Sequence, residues 1–111
     1  NKEDDLMGRA AKLGAEMVAK LQAAARKINI IGEVRGRGFF IGIELVADKT
    51  TKEPLPSDKM GAILGDLLNA GITCVPAGRY HNVIRFMPPL VITQDYLEKA
   101  TGILIDICRK Y

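Results

Sequence analysis

The hydrophobic period of this chain changes early, and that change constrains what it can fold into more than any other feature. Leu6, Met7, Ala10, Leu13, Met17, Val18, Leu21, Ala25 and Ile28 recur at the three- and four-residue spacing that places them on one stripe of an α-helix. Glu3, Asp4 and Asp5 stand at the start of that stripe and Arg26 with Lys27 at its end, as the helix dipole favours. From Phe39 the period falls to two. Phe39, Ile41, Ile43 and Leu45 alternate with Phe40, Gly42, Glu44 and Val46, the pattern of a strand. Gly36, Gly38 and Gly42 punctuate this stretch, where glycine marks a bulge, a bend or a close backbone approach.

The remainder alternates in the same two periods. Ala47 to Ser57 is polar and carries Pro54 and Pro56, so it reads as a loop. Ser57 is a suitable N-cap for a helix with Met60, Ile63, Leu64, Leu67 and Leu68 on one stripe, ending at Gly71 as a C′ residue. Ile72 to Val75 reads as a short strand closed by Pro76 and a turn through Ala77, Gly78 and Asn82. Val83 to Met87 reads as another, ended by Pro88 and Pro89, which withhold backbone donors. Thr93 caps a last helix with Tyr96, Leu97, Ala100, Ile103, Leu104, Ile107 and Cys108 on its apolar stripe. The order is α-β-α-β-β-α: an α+β fold, a small three-stranded sheet with helices on one face, forming a single domain over residues 1–111. Ile84 and Phe86 share one face of their strand and Val83, Arg85 and Met87 the other. Three helices do not cover both faces, so another domain or subunit is expected against the face that carries Arg85.

Composition adds mostly exclusions. With 48% apolar residues in 111, the chain can bury a core. No apolar run approaches the roughly 20 residues that span a bilayer, and no basic lead-in to an apolar stretch reads as a secretory signal. A cytoplasmic protein without membrane contact is the expectation. Sixteen Lys and Arg are interspersed with thirteen Asp and Glu, and the six aromatics are Phe and Tyr with no Trp. That is a poor match to the basic, aromatic-lined surface that binds nucleic acid. Cys74 and Cys108 lie in apolar stretches and read as free buried thiols, although a disulfide is open. The chain begins at Asn1 and runs at once into helix, which suits a processed start or a piece cut from a longer protein equally well.

Several local patterns are candidates for chemistry. Arg35-Gly36-Arg37-Gly38 resembles half of a phosphate loop, but such loops lead into a helix N-terminus and these glycines lead into a strand. His81 has no Ser, Cys or carboxylate at relay spacing and reads as a solvated turn residue. Asp48, Glu53 and Asp58 do not match a calcium loop, and Lys49, Lys52 and Lys59 would repel a cation, so no metal site is expected. Arg85 stands apart, as the one charge in an apolar strand, where burying a guanidinium is costly unless an anion meets it. Two readings are open: a structural salt bridge, for example to Glu44, or a planar fork for a ligand carboxylate or phosphate.

Three segments, in order, carry a resemblance. Val34-Arg35-Gly36-Arg37-Gly38 leading to Gly42-Ile43-Glu44-Leu45 is similar to the VRGxG and GIEL strand of class III (omega-amino-acid type) aminotransferases. Asp48, Thr51, Glu53 and Pro54 are similar to the D-x-x-T-x-E-P loop that follows it, and Asn82-Val83-Ile84-Arg85-Phe86-Met87-Pro88-Pro89-Leu90 resembles the NVIRxxPPL segment before the last helix. Phe39 and Phe40 depart from the Leu or Met common in that family. The resemblance implies the C-terminal small domain of a homodimeric fold type I enzyme using pyridoxal 5'-phosphate, which moves an amino group from an amine or omega-amino acid to a 2-oxo acid. It implies that the cofactor is held by a large domain, whose lysine forms the Schiff base and whose aspartate pairs with the pyridine nitrogen. No lysine here lies in a matching motif, so no catalytic or cofactor-binding residue is assigned to this chain, and alone it is expected to be inactive. Arg85 is the one position that carries over, as a binder of the substrate's carboxylate. Gly78-Arg79-Tyr80 is faintly similar to 4-aminobutyrate aminotransferases. Two other classes stay open: a freestanding anion-binding regulatory domain, in which Arg85 senses a small anion, and a nucleic-acid module, which the charge and aromatic pattern disfavours, so that no nucleic-acid partner is expected.

Overall fold

The computed structural model describes residues 2–111. The first stripe folds into helix α1, Lys2–Ala25, with Ala10, Leu13, Met17 and Leu21 buried. Two members of the predicted stripe depart from it. Ile28 is buried but lies beyond the helix, after Lys27 and Ile28 close a last turn onto the carbonyls of Ala24 and Ala25. Met7 stays 61% exposed and joins an apolar surface with Phe40 and Met87.

Among the described residues the sheet has four strands, not the three expected. Strand β1 (Ile31–Arg37) pairs antiparallel with β2 (Phe40–Leu45), and β4 (Val83–Phe86) lies between β2 and a short β3 (Val75–Ala77), all antiparallel. β1 escapes a period-two reading because the register shifts between Ile31 and Glu33, with Gly32 as the extra residue. Its two buried residues, Ile31 and Val34, are therefore three apart. The glycines expected to mark a bulge do other work. Gly38, at φ +57°, opens the two-residue turn between β1 and β2, where an L side chain would be strained. Gly14 of α1 lies against that turn: a Cβ there would stand 1.9 Å from the Gly38 carbonyl oxygen.

Helix α2 is Ser57–Asn69, one residue out from the expected cap. Pro56 is the N-cap, without a side-chain hydrogen bond, and Ser57 is the first helical residue. The C-terminus ends in a Schellman arrangement, with Gly71 at φ +86°, the Gly71 N–H donating to Leu68 O (3.0 Å) and the Ile72 N–H to Leu67 O (2.8 Å). Ile72, expected in a strand, is consumed by this cap and buried beneath it, which is why β3 starts only at Val75. Pro76 is tolerated there because β3 is an edge strand. Helix α3, Gln94–Arg109, is capped as expected, with Thr93 Oγ1 accepting from the Tyr96 N–H at 3.2 Å.

All three helices contribute to one core. Ile41, Ile43, Leu45, Ile84 and Phe86 point into it with exposures of 6% or less, together with Met17, Ile63, Leu67 and Leu104. The α+β class and the one-sided helix layer are as expected. On the reverse face Phe40 and Arg85 are exposed, and Gly42, Glu44 and Val83 are half-buried.

Candidate functional site

The site is that reverse face. Laterally paired residues of a sheet share a face, so the register defines rows across it. One row runs Arg35, Gly42, Arg85, Val75 through β1, β2, β4 and β3. The next runs Glu33, Glu44, Val83, Ala77. Arg85 is thus held at mid-sheet by ladders on both sides, in an open groove of about 580 Å³ that it lines with Arg35, Arg37, Phe40 and Gly42. Among the described residues its side chain makes no hydrogen bond or ion pair, so the salt bridge to Glu44 weighed from the sequence is not formed. Its guanidinium is exposed in this chain rather than desolvated, because nothing here covers the face.

Beside the groove lies an apolar hollow of about 680 Å³ lined by Met7, Phe40, Met87, Pro89 and Leu90 among others. Arg9 donates to the carbonyls of Leu90 and Ile92, tying the segment after β4 to α1 and holding one wall of this hollow. Asn82, buried at the entry to β4, donates from Nδ2 to Leu45 O (2.8 Å), and its carbonyl accepts from the Leu45 N–H (2.7 Å). The two bonds fix where β4 begins relative to β2 and hence where Arg85 falls.

The other candidates are placed elsewhere. Asp48 Oδ1 accepts from the N–H groups of Thr50 and Thr51, Thr51 Oγ1 accepts from the Glu53 N–H, and Val46 bridges Pro54. The D-x-x-T-x-E-P loop is therefore a folded-back turn whose carboxylate is spent on backbone. No group of three or more His, Cys, Asp or Glu converges among the described residues. His81 sits exposed in the turn before β4 with φ +54°. Both cysteines are free, and burial pushes the thiols up, Cys74 to about 11 and Cys108 to about 12, so neither is a ready nucleophile. Nothing in the sequence marks Arg35 as a neighbour of Arg85. The bulge at Gly32 hides the alternation that would have put it on the same face.

Fold and face together define a small α+β domain with one finished side and one unfinished side. The class-III aminotransferase family profile matches residues 1–108, and the chain belongs to that family. It is 33% identical to a hypotaurine/taurine–pyruvate aminotransferase of Paracoccus denitrificans, over 97% of this chain and 24% of the relative. An amine transaminase from an uncultivated Pseudomonas species, solved in its PLP-bound form, superposes with a TM-score of 0.84 at 33% identity, covering 98% of this chain and 24% of that one. A phospholyase from Arthrobacter, solved in complex with phosphoethanolamine, superposes at 0.90 with 27% identity, covering 99% and 25%. The chain spans about a quarter of the length of the curated relatives it matches.

The residues present do not make a pyridoxal phosphate site. Every described lysine is exposed except Lys49, which is half-buried and donates to Ala25 O at 2.5 Å, closing the end of α1. Among the described residues, no helix is long and apolar enough to cross a membrane.

Proposed function

We propose that this chain is the C-terminal small domain of a pyridoxal-phosphate-dependent class III aminotransferase that transfers an amino group from an amine or omega-amino acid to a 2-oxo acid. Within it, Arg85 receives the anionic end of the substrate. The observation that carries the reading is Arg85 itself, a cation fixed at mid-sheet between two ladders, exposed, and without a protein partner among the described residues. Family membership and the PLP-bound relative support the cofactor and the reaction class. The cofactor and the lysine that holds it belong to the parent enzyme's large domain. The bare sheet face and the apolar hollow around Phe40 and Met87 suit contact with that domain. The resemblance further supports a homodimeric, cytoplasmic parent. Family membership leaves the freestanding regulatory domain and the nucleic-acid module without support.

The test is a pair of donors of equal length in the full-length enzyme, 3-aminopropanoate and propylamine. Arg85→Gln should lower kcat/KM for the carboxylate donor about 10- to 100-fold, the size of a lost charge-assisted hydrogen bond, and leave propylamine within about twofold. Unchanged kinetics for 3-aminopropanoate would remove Arg85 from the binding site.

A further inference from the structure

Arg85 does not stand alone in its row. Gly42 lies beside it, and Arg35 lies beside Gly42 on the other side. At the usual strand spacing the two arginine backbones are about 9–10 Å apart, within reach of two long side chains converging on one point. The position between them carries no side chain. Nothing in the packing demands that: a Cβ on Gly42 would meet only Val83 Cγ1 at 3.5 Å and Arg35 O at 3.9 Å, ordinary contacts. The missing side chain therefore leaves a slot on the exposed face, floored by backbone and flanked by two arginine residues.

Arg35 has a partner, Glu33, at 3.0 Å, but both side chains are more than half exposed. An ion pair of that kind is weak and screened, and Glu33 sits two residues along the same strand, outside the slot. Glu44 lies in Glu33's row, not between the arginines. Arg37 lines the same groove and adds a third positive charge at its rim.

From this we infer that Arg35 and Arg85 form a two-armed clamp over Gly42 that selects a tetrahedral oxyanion, a sulfonate or a phosphate monoester, over a carboxylate. The geometry distinguishes the two. A carboxylate has two oxygens in one plane, and one bidentate fork satisfies both. A tetrahedral anion presents three oxygens in a cone and accepts from two forks approaching from opposite sides. The inference rests on the reading of Arg85 as the anion-binding residue and adds a specificity-determining role for Arg35.

The experiment is calorimetric titration of the full-length holoenzyme with methanesulfonate, methyl phosphate and acetate, with the cofactor bound so that its own phosphate pocket is filled. Wild type should bind the two tetrahedral anions more tightly than acetate. Arg35→Gln should weaken methanesulfonate and methyl phosphate tenfold or more and acetate less than threefold. Arg85→Gln should weaken all three. Gly42→Ala should not lower the melting temperature and should weaken the tetrahedral anions most, because it fills the slot without disturbing the sheet. A methyl phosphate preference that exceeds the methanesulfonate one identifies a dianion-selective form of the same clamp, and the reverse identifies a sulfonate-selective one. If wild type does not prefer tetrahedral anions, or if Arg35→Gln weakens all three equally or none, the clamp is wrong, while loss of acetate binding in Arg85→Gln would still uphold the Arg85 reading. If Arg85→Gln leaves acetate unaffected, that reading fails as well, and the two failures are thereby told apart.

Discussion

The two faces of the sheet are made from the same strands and obey different rules. On the helix side Ile41, Ile43 and Ile84 are fully buried. On the reverse side their immediate neighbours Phe40, Gly42, Val83 and Arg85 range from half-buried to exposed. The helix side holds the domain together. The reverse side contributes little to that, and is free to carry a cation and a side-chain-free slot that a packed core would not tolerate. The contrast separates what this chain needs to fold from what it leaves open on its surface.

The largest effect that would break the comparison comes from truncating one residue on each side. Ile43→Ala should cost about 2–5 kcal/mol in urea denaturation of the chain, the range for opening a cavity in a closed core. Phe40→Ser, at a side chain 69% exposed, should stay within about 0.5 kcal/mol. In the full-length enzyme the Phe40 variant should lose that neutrality as the face is covered. Equal costs in the chain alone would mean that the reverse face also supports the fold.

A smaller effect sharpens the comparison with one substitution in two places. Gly14→Ala places a methyl against the Gly38 carbonyl at a distance no contact allows, so α1 must move off the β1–β2 turn. The expected cost is about 1–3 kcal/mol. Gly42→Ala meets only ordinary contacts and should be neutral, or stabilising by up to about 1 kcal/mol, since glycine weakens a strand interior. Thermal melts of the two variants check both signs.

Legibility from sequence follows the same division. The helix side was readable because burial imposes a period: the stripes of α1, α2 and α3 and the inward set Phe39, Ile41, Ile43, Leu45 could be counted directly. β1 was lost because a single extra residue at Gly32 moved its buried positions out of alternation. The start of β3 was misplaced because an apolar residue, Ile72, serves a helix cap as readily as a strand. The reverse face carries no period at all. Arg85 was found there because one charge in an apolar strand is conspicuous, whereas Arg35, in a segment already rich in charge, is not. Its relation to Arg85 exists only in the register, two strand pairings away. Asn82 has the sequence signature of a turn residue, yet it is the clip that aligns β4 with β2.

The smallest effect concerns charge at the outer edge of the helix layer, where apolar burial and surface pairing can be compared on the covered side itself. Asp66 of α2 accepts from the Tyr111 hydroxyl at 2.6 Å and pairs with Lys110 at 3.2 Å, joining the end of the chain to α2. The Tyr111 hydrogen bond first, and Lys110 after it, hold the Asp66 carboxyl below its ordinary value of 3.8 against the opposing pull of burial. The same bond, with burial, raises Tyr111 above its ordinary 10.0. A carboxyl depressed by folding stabilises above its unfolded value and loses that contribution as pH falls through the folded one. A phenol raised by folding stabilises below its unfolded value and loses it as pH rises through the folded one. The tether therefore acts between about pH 4 and pH 10 and lapses outside that window. Asp66→Asn should lower the melting temperature slightly at pH 7 and not at all below the folded Asp66 value, where wild type and variant converge. A drop at pH 7 as large as that of Ile43→Ala would overturn the view that the covered face is held by burial. No drop at any pH would mean that solvent screening cancels the pair, as it does for many exposed ones.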